Sequence, residues 1–262
     1  MFIDTHCHLE MEPLSSDIVG VIKGAQSVGV EKMITIGTDV ETSKKAIEIA
    51  RKYPGIYSTV GAHPELAKEI SLSYYQQLLS LARNPEVVAI GEVGLDYFRL
   101  DKSSQYINSA TEGEQKCLFE QMIDIAIENE LPLIVHSRDS AKDTLEIINQ
   151  YKNNLEGGVF HCFSYNFELS RQFLDTGFYL SFTNIIGYSK NEELRQVVKY
   201  TPIERILIET DAPFLPPEVR RGGKSEPSDV VVVAEKIAEV KKLEVNQVAE
   251  ITTKNTQDLF NI

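Results

Sequence analysis

Eight short apolar runs recur along the chain, and segments with helical spacing of apolar residues separate them. The runs are FIDTH (2–6), KMITIG (32–37), IYSTVGAH (56–63), EVVAIGEVG (86–94), LPLIVHS (131–137), GGVFHCF (157–163), FYLSF (178–182) and RILIETD (205–211). Runs of this length, rich in β-branched and aromatic residues, read as buried strands. Between them Phe119, Met122, Ile123 and Ala126 share one helical face, opened by Thr111 and Glu114 as a capping box. Ala141, Leu145 and Ile148 mark another helix, and Gly157-Gly158 punctuates the return to strand. The run VVVVA (230–234) is ambiguous alone, but Val230, Val233, Ile237 and Val240 keep helical spacing, and Pro227-Ser228 makes a helix start. Eight strands alternating with helices in 262 residues is the arithmetic of an α/β, TIM-like (β/α)8 barrel, expected here as a single domain over 1–262. The competing architecture, an open doubly wound sheet, lacks its fingerprint: no G-x-G-x-x-G follows an early strand. The stretch FLPPEVRRGGKSEP (214–227) reads as a long loop after the eighth strand, not a boundary.

Charge narrows the partners. With 39 Asp and Glu against 26 Lys and Arg, the formal net charge is −13. Such a surface repels a phosphate backbone, so sequence-independent binding along a duplex is excluded as the main mode. No apolar segment is long enough to span a bilayer, and the first residues lack the basic and apolar regions of an export leader, so a cytoplasmic protein with no membrane attachment is expected. Cys7, Cys117 and Cys162 are odd in number and far apart, which fits reduced thiols. No stable protein partner is expected.

The five histidines are His6, His8, His63, His136 and His161, and every one falls at or just beyond the C-terminal end of an expected strand. In a barrel that end carries the active site. Glu92 and Asp211 end two further runs, so six of the eight strands aim a nitrogen or oxygen ligand at one place. His6 and His8, two apart on a strand, project to one side and can grip one cation while Cys7 faces away as a small buried filler. Together His6, His8, Glu92, His136, His161 and Asp211 make six ligands, enough for two divalent ions bridged by a carboxylate. Imidazole with carboxylate suits zinc, manganese or iron, and the carboxylate share leaves magnesium open. That set is complete without His63 of GAHPE, which is better placed to touch substrate or leaving group. Arg138 and Arg99 are either phosphate forks or surface ion pairs. Glu209 shares a strand face with Asp211 and reads as a support behind the ligands. Arg220 and Arg221 fall in the loop after the eighth strand, either at the mouth or simply solvated.

The ordered motifs DTHCHLE, GAHPE, IGEVGLDYFR, PLIVHSRD, FHCFS and ETDAPFLPP, with TTKNTQDLF near the end, resemble the TatD-type metal-dependent deoxyribonucleases of the amidohydrolase-like barrels. The resemblance spans nearly the whole chain. It implies hydrolysis of phosphodiester bonds at DNA ends, with His6 and His8 on a first metal, Glu92 bridging, and His136 and His161 on a second. It also implies that Asp211 contacts the attacking water as a catalytic group and that His63 is the substrate-side histidine. The run RRGGKSEP departs from that family's R-G-K-x-N-E-P-like loop by inserting Gly223 and placing Ser225 where Asn is common. The expected substrate is therefore DNA ends or short nucleic acid, bound through His63 and Arg138. The same ligand frame also suits hydrolysis of an amide or an aminoacyl ester such as D-aminoacyl-tRNA.

Overall fold

The computed structural model describes residues 1–98 and 110–262; Arg99 lies outside them. Strands β1 (Phe2–Cys7), β2 (Val30–Thr35), β3 (Ile56–Val60), β4 (Val87–Asp96), β5 (Leu133–Arg138), β6 (Gly158–Phe160), β7 (Tyr179–Phe182) and β8 (Ile206–Ile208) form one sheet in sequence order. All seven ladders are parallel. Parallel neighbours need crossovers, which the helices supply. These are α1 (Ile18–Ser27), α2 (Val40–Lys52), α3 (Leu72–Ala82), α4 (Glu112–Glu128), α5 (Ala141–Tyr151), α6 (Phe167–Leu174), α7 (Glu192–Tyr200), α8 (Val230–Lys241) and α9 (Val245–Phe260). The expected (β/α)8 architecture is present.

The helices start where the sequence chemistry directs. The Thr111 hydroxyl accepts from the Glu114 amide at 3.3 Å, and the Glu114 carboxylate accepts from the Thr111 amide at 2.7 Å. Behind that cap Phe119, Met122, Ile123 and Ala126 are fully buried against the sheet. Removing one such large apolar side chain costs about 3–5 kcal/mol for a phenylalanine. The VVVVA run is the start of α8, preceded by a single 3-10 turn at Pro227–Asp229.

Several strands stop short of the runs read from sequence. β3 ends at Val60, β6 at Phe160 and β8 at Ile208, so His63, His161 and Asp211 stand on the loops just beyond. Burial continues there, as at Ala62, His161 and Thr210, but the backbone leaves the ladder. Cys162 and Asp211 both have positive φ, 45° and 57°, which turns the chain over the barrel mouth.

Closure is uneven. β4 and β5 pair at five registered positions, whereas β1 meets the segment beyond β8 through one isolated bridge, Cys7 to Ala212. That seam is sewn mainly from loop and side-chain groups. The Thr210 amide and hydroxyl donate to Asp4 at 2.9 and 2.6 Å, the Asp211 amide donates to the His6 carbonyl at 2.8 Å, and the His8 amide donates to the Ala212 carbonyl at 2.7 Å. At the opposite end α9, which the sequence reading left unassigned, lies beneath the barrel. Asn255 donates to the carbonyls of Ile203 and Ile206, while Leu259 and Phe260 pack with Ile34, Val88, Ile134, Val159 and Leu207. The last helix thus stoppers the end away from the histidines.

Candidate metal centre

All six expected ligands and His63 meet at the C-terminal mouth, and all of them but the fully buried His6 line a cavity of about 550 Å³. Glu92, near the middle of β4, is the hub. Its Oε1 lies 2.7 Å from His136 Nδ1 and 2.8 Å from His161 Nε2, and its Oε2 lies 3.6 Å from His6 Nε2. Asp211 Oδ1 stands 3.5 Å from His6 Nε2 and 3.4 Å from His8 Nε2. Gly94, two residues beyond Glu92, makes this approach possible. Its φ is +136°, and a Cβ there would overlap the backbone of His136 on the neighbouring strand.

Burial and charge explain why the cluster suits a cation. His6 is fully buried, and neither of its ring nitrogens has a hydrogen-bond partner among the described residues. A buried imidazole left without partners is costly unless something else satisfies it. Its Nε2 faces two carboxylates, which is the setting of a metal ligand. Burial alone would lower the pKa of His8, but its contacts with Asp211 and Glu10 outweigh this and push it up to about 10. Burial likewise opposes protonation of His136 and His161, yet carboxylates raise both: Asp96 and Glu92 for the first, Glu92 and Glu209 for the second. Against the same desolvation, His161, His136 and His6 hold Glu92 well below the usual carboxylate range. The carboxylates thus draw protons onto the rings. A divalent cation would supply the same compensation, and to bind it the rings must give those protons up.

Three of the histidines carry a carboxylate behind the nitrogen that faces away from the cluster. Glu10 stands 3.3 Å from His8 Nδ1, Asp96 3.1 Å from His136 Nε2, and Glu209 3.5 Å from His161 Nδ1. Such partners fix the tautomer and ring orientation of metal-binding histidines. Glu209 has the supporting position expected of it. Glu10, Asp96 and Asp4 were missed in the sequence, although a signal was there: Asp4, His6, His8 and Glu10 alternate at period two, as do Glu92, Gly94 and Asp96.

The groups that lie within ligand span are His6 with His8 and Glu92, His6 with His161 and Asp211, and His63 with Glu92 and His136. His63 therefore comes closer to the ligands than the sequence suggests, its Nε2 3.9 Å from Glu92 Oε1. Its Nδ1 accepts from the Glu65 amide at 3.4 Å, which leaves the ring proton on Nε2. Burial lowers its pKa to about 4, so the ring is neutral at pH 7. Nε2 is then a donor facing the cavity. Arg138 also lines the cavity, its guanidinium 3.7 Å over the Phe98 ring.

The family model described as TatD related DNase matches residues 3–261. The chain belongs to the TatD family. A metal-dependent hydrolase of Bacillus subtilis, YabD, is 38% identical over 262 residues and covers 100% of both chains. The 3'-5' ssDNA/RNA exonuclease TatD of Salmonella typhimurium is 31% identical, covering 99% of this chain and 98% of its own. Among solved structures, the TatD homologue YjjV of Escherichia coli superposes with a TM-score of 0.90 at 28% identity, covering 100% of this chain and 98% of its own. This TatD-family chain is accordingly a metal-dependent hydrolase. Its remaining sequence expectations divide. Cys7 points out of the cluster, fully buried, with Sγ 3.5 Å from the Ile34 carbonyl. Arg220 is tied to Asp229 and is not directed at the cavity, and buried Ser225 donates to the same Asp229 at 3.1 Å. The loop's departure from the TatD pattern at Ser225 thus falls on an internal latch. No helix among the described residues is long and apolar enough to cross a membrane.

Proposed function

We propose that the protein hydrolyses phosphodiester bonds at the ends of single-stranded nucleic acid, DNA above all, using two divalent ions. His6, His8 and Asp211 would hold one, His136 and His161 the other, with Glu92 between them. Bound there, the ions supply positive charge that neutralises a phosphoryl oxygen and acidifies a water. Asp211 is ionised, since His8, His6 and His161 outweigh its desolvation, and it accepts the proton of the attacking water. Neutral His63 donates from Nε2 to a phosphate oxygen, holding it in the geometry of attack. Arg138 grips a second oxygen from the rim.

One observation carries this reading: two groups that can only donate, His63 Nε2–H and the Arg138 guanidinium, line the cavity that opens onto the ligand cluster. Together they suit the several oxygens of a phosphate better than the lone oxygen of an amide carbonyl. The Salmonella relative's activity supports the same reading. On a body of net charge −13 there is little basic surface to follow a duplex, so a terminus is the substrate. The test incubates metal-replete protein with end-labelled single-stranded DNA, double-stranded DNA and D-aminoacyl-tRNA, with and without chelator. Single strands should shorten from an end, and chelation should abolish this until a divalent ion is restored. Deacylation of the tRNA without loss of nucleotides would overturn the proposal.

A further inference from the structure

We propose that Phe214 and Phe98 are platforms on which the unpaired bases flanking the scissile phosphate stack, and that these rings make the enzyme select unpaired ends; this rests on the nuclease reading above. Of eleven phenylalanines, nine are buried or half-buried, while Phe98 and Phe214 are 55% and 51% exposed. Both stand at the mouth. Phe214 follows β8 three residues after Asp211 and lines the cavity, its ring 5.8 Å from that of His8 at 76°. Phe98 follows β4 two residues after Asp96 and lies under the Arg138 guanidinium. In a closed ring of eight strands, β4 and β8 are four apart and hence diametrically opposed. The two exposed rings therefore flank the ligand cluster from opposite sides of the opening.

A phenylalanine contributes most when buried, yet among the described residues each of these rings leaves about half of its surface open. Each stands beside a group that the phosphodiester reading uses, Phe214 beside a metal-binding histidine and Phe98 beneath a phosphate-binding arginine. A strand threaded between them would present its phosphate to the centre and its bases to the rings. Base-to-aromatic stacking is indifferent to sequence, because every base has a π face. It also requires a base that is free of its complement. A blunt duplex end would first have to unpair, so ring contacts favour single strands without any base-specific hydrogen bond. Weak phosphate contact on an acidic protein makes such neutral contacts the natural source of grip.

The test compares two single-stranded oligonucleotides, one ending in 2-aminopurine and one abasic at the same position. Wild type should prefer the base-bearing end in kcat/KM by roughly ten- to a hundredfold, the scale of losing one base-to-ring contact. Phe214→Leu keeps apolar bulk at an exposed position but removes the ring, so it should erase most of that preference, while Phe214→Tyr should keep it. Binding without turnover gives a second readout. In chelator, the fluorescence of 2-aminopurine should be quenched by wild type and stay bright with the leucine variant. Phe98→Leu should reduce the preference on the other flank, and the double variant should also lose preference for single strands over blunt duplex. If wild type cleaves ends but does not distinguish base from abasic residue, or if Phe214→Leu retains both preference and quenching, the stacking proposal is overturned while the nuclease reading stands. If wild type cleaves no phosphodiester, that reading fails first and takes the platforms with it.

Discussion

The two sides of the ligand cluster are built differently. His136 and Glu92 stand on β5 and β4, which share five registered pairs, and Asp96 of the same β4 reaches the far nitrogen of His136. His6, His8 and Asp211 stand on a seam that has one bridge, and they are held together by two backbone bonds, Asp211 to His6 and His8 to Ala212, and by Asp4 receiving both the amide and the hydroxyl of Thr210. One side inherits its geometry from a ladder. The other has a β1–β2 ladder that is interrupted between Asp4 and Cys7, and Asp211 is joined to it by a handful of buried polar contacts. The difference teaches that equal ligand chemistry need not mean equal robustness. A ladder spreads its register over many backbone bonds, whereas a seam concentrates it in a few groups whose loss leaves buried partners unsatisfied.

The largest effect should come from the residue that both sides share. Glu92→Gln keeps the shape but offers one carbonyl oxygen and an NH2 where two carboxylate oxygens faced two sets of histidines. Turnover should fall by about a thousandfold, and elemental analysis should find metal lost from both sides. Full occupancy in that variant would remove Glu92 from the ligand set. His63→Ala comes next. On the proposed role Nε2 donates toward substrate, so metal content should be retained while turnover falls by roughly a hundredfold. Loss of metal would instead make His63 a ligand and weight the cluster toward β3 and β5.

The smallest effects separate the two sides most sharply. Asp96→Asn would turn an NH2 toward His136 Nε2 if its oxygen keeps the Phe98 amide, now accepted by Asp96 at 3.0 Å. His136 would then carry its proton on Nδ1, the nitrogen that faces Glu92, and metal affinity on that side should drop by about ten- to a hundredfold. Thr210→Val removes the hydroxyl donor from Asp4 and should loosen the seam side by a similar factor, the usual scale for a partner behind the ligands. Metal titrations of the two variants should show opposite halves weakened. A uniform loss in both would show that the cluster behaves as one unit, and that the distinction between ladder and seam has no energetic weight.

Much of this was legible in the sequence because it rests on period and position. Apolar runs alternate with helical faces, and His6, His8, His136, His161, Glu92 and Asp211 end or follow the runs, so the barrel and its mouth can be read without coordinates. The supports behind the ligands were harder. Asp4, Glu10 and Asp96 are ordinary acidic letters until the distance to a histidine nitrogen is known, and only their period-two spacing hinted at a shared face. The rings at the mouth were illegible for another reason. Phe98 and Phe214 look no different in sequence from the nine phenylalanines that pack inside, since exposure is a property of the folded chain. Strand ends were overrun by a few residues because apolar character does not register where a backbone turns away, as it does at Asp211.

The seam also has a consequence for the order in which the molecule comes into being. The contact between Asp4 and Thr210 joins residues 206 apart in the chain. A ribosome makes His6 and His8 first and Asp211 only after all eight strands have been made. During most of synthesis the first two histidines lack Asp211, the carboxylate that both of them face, and a cation that settles on them early has an incomplete site to hold it. Completion of the centre is therefore a late event that reports on the whole chain. A chain that stops after β7 contains Glu92, His136 and His161 but lacks Asp211. On the proposed role of Asp211, hydrolysis is thereby withheld from incomplete chains by topology alone, without a separate inhibitor.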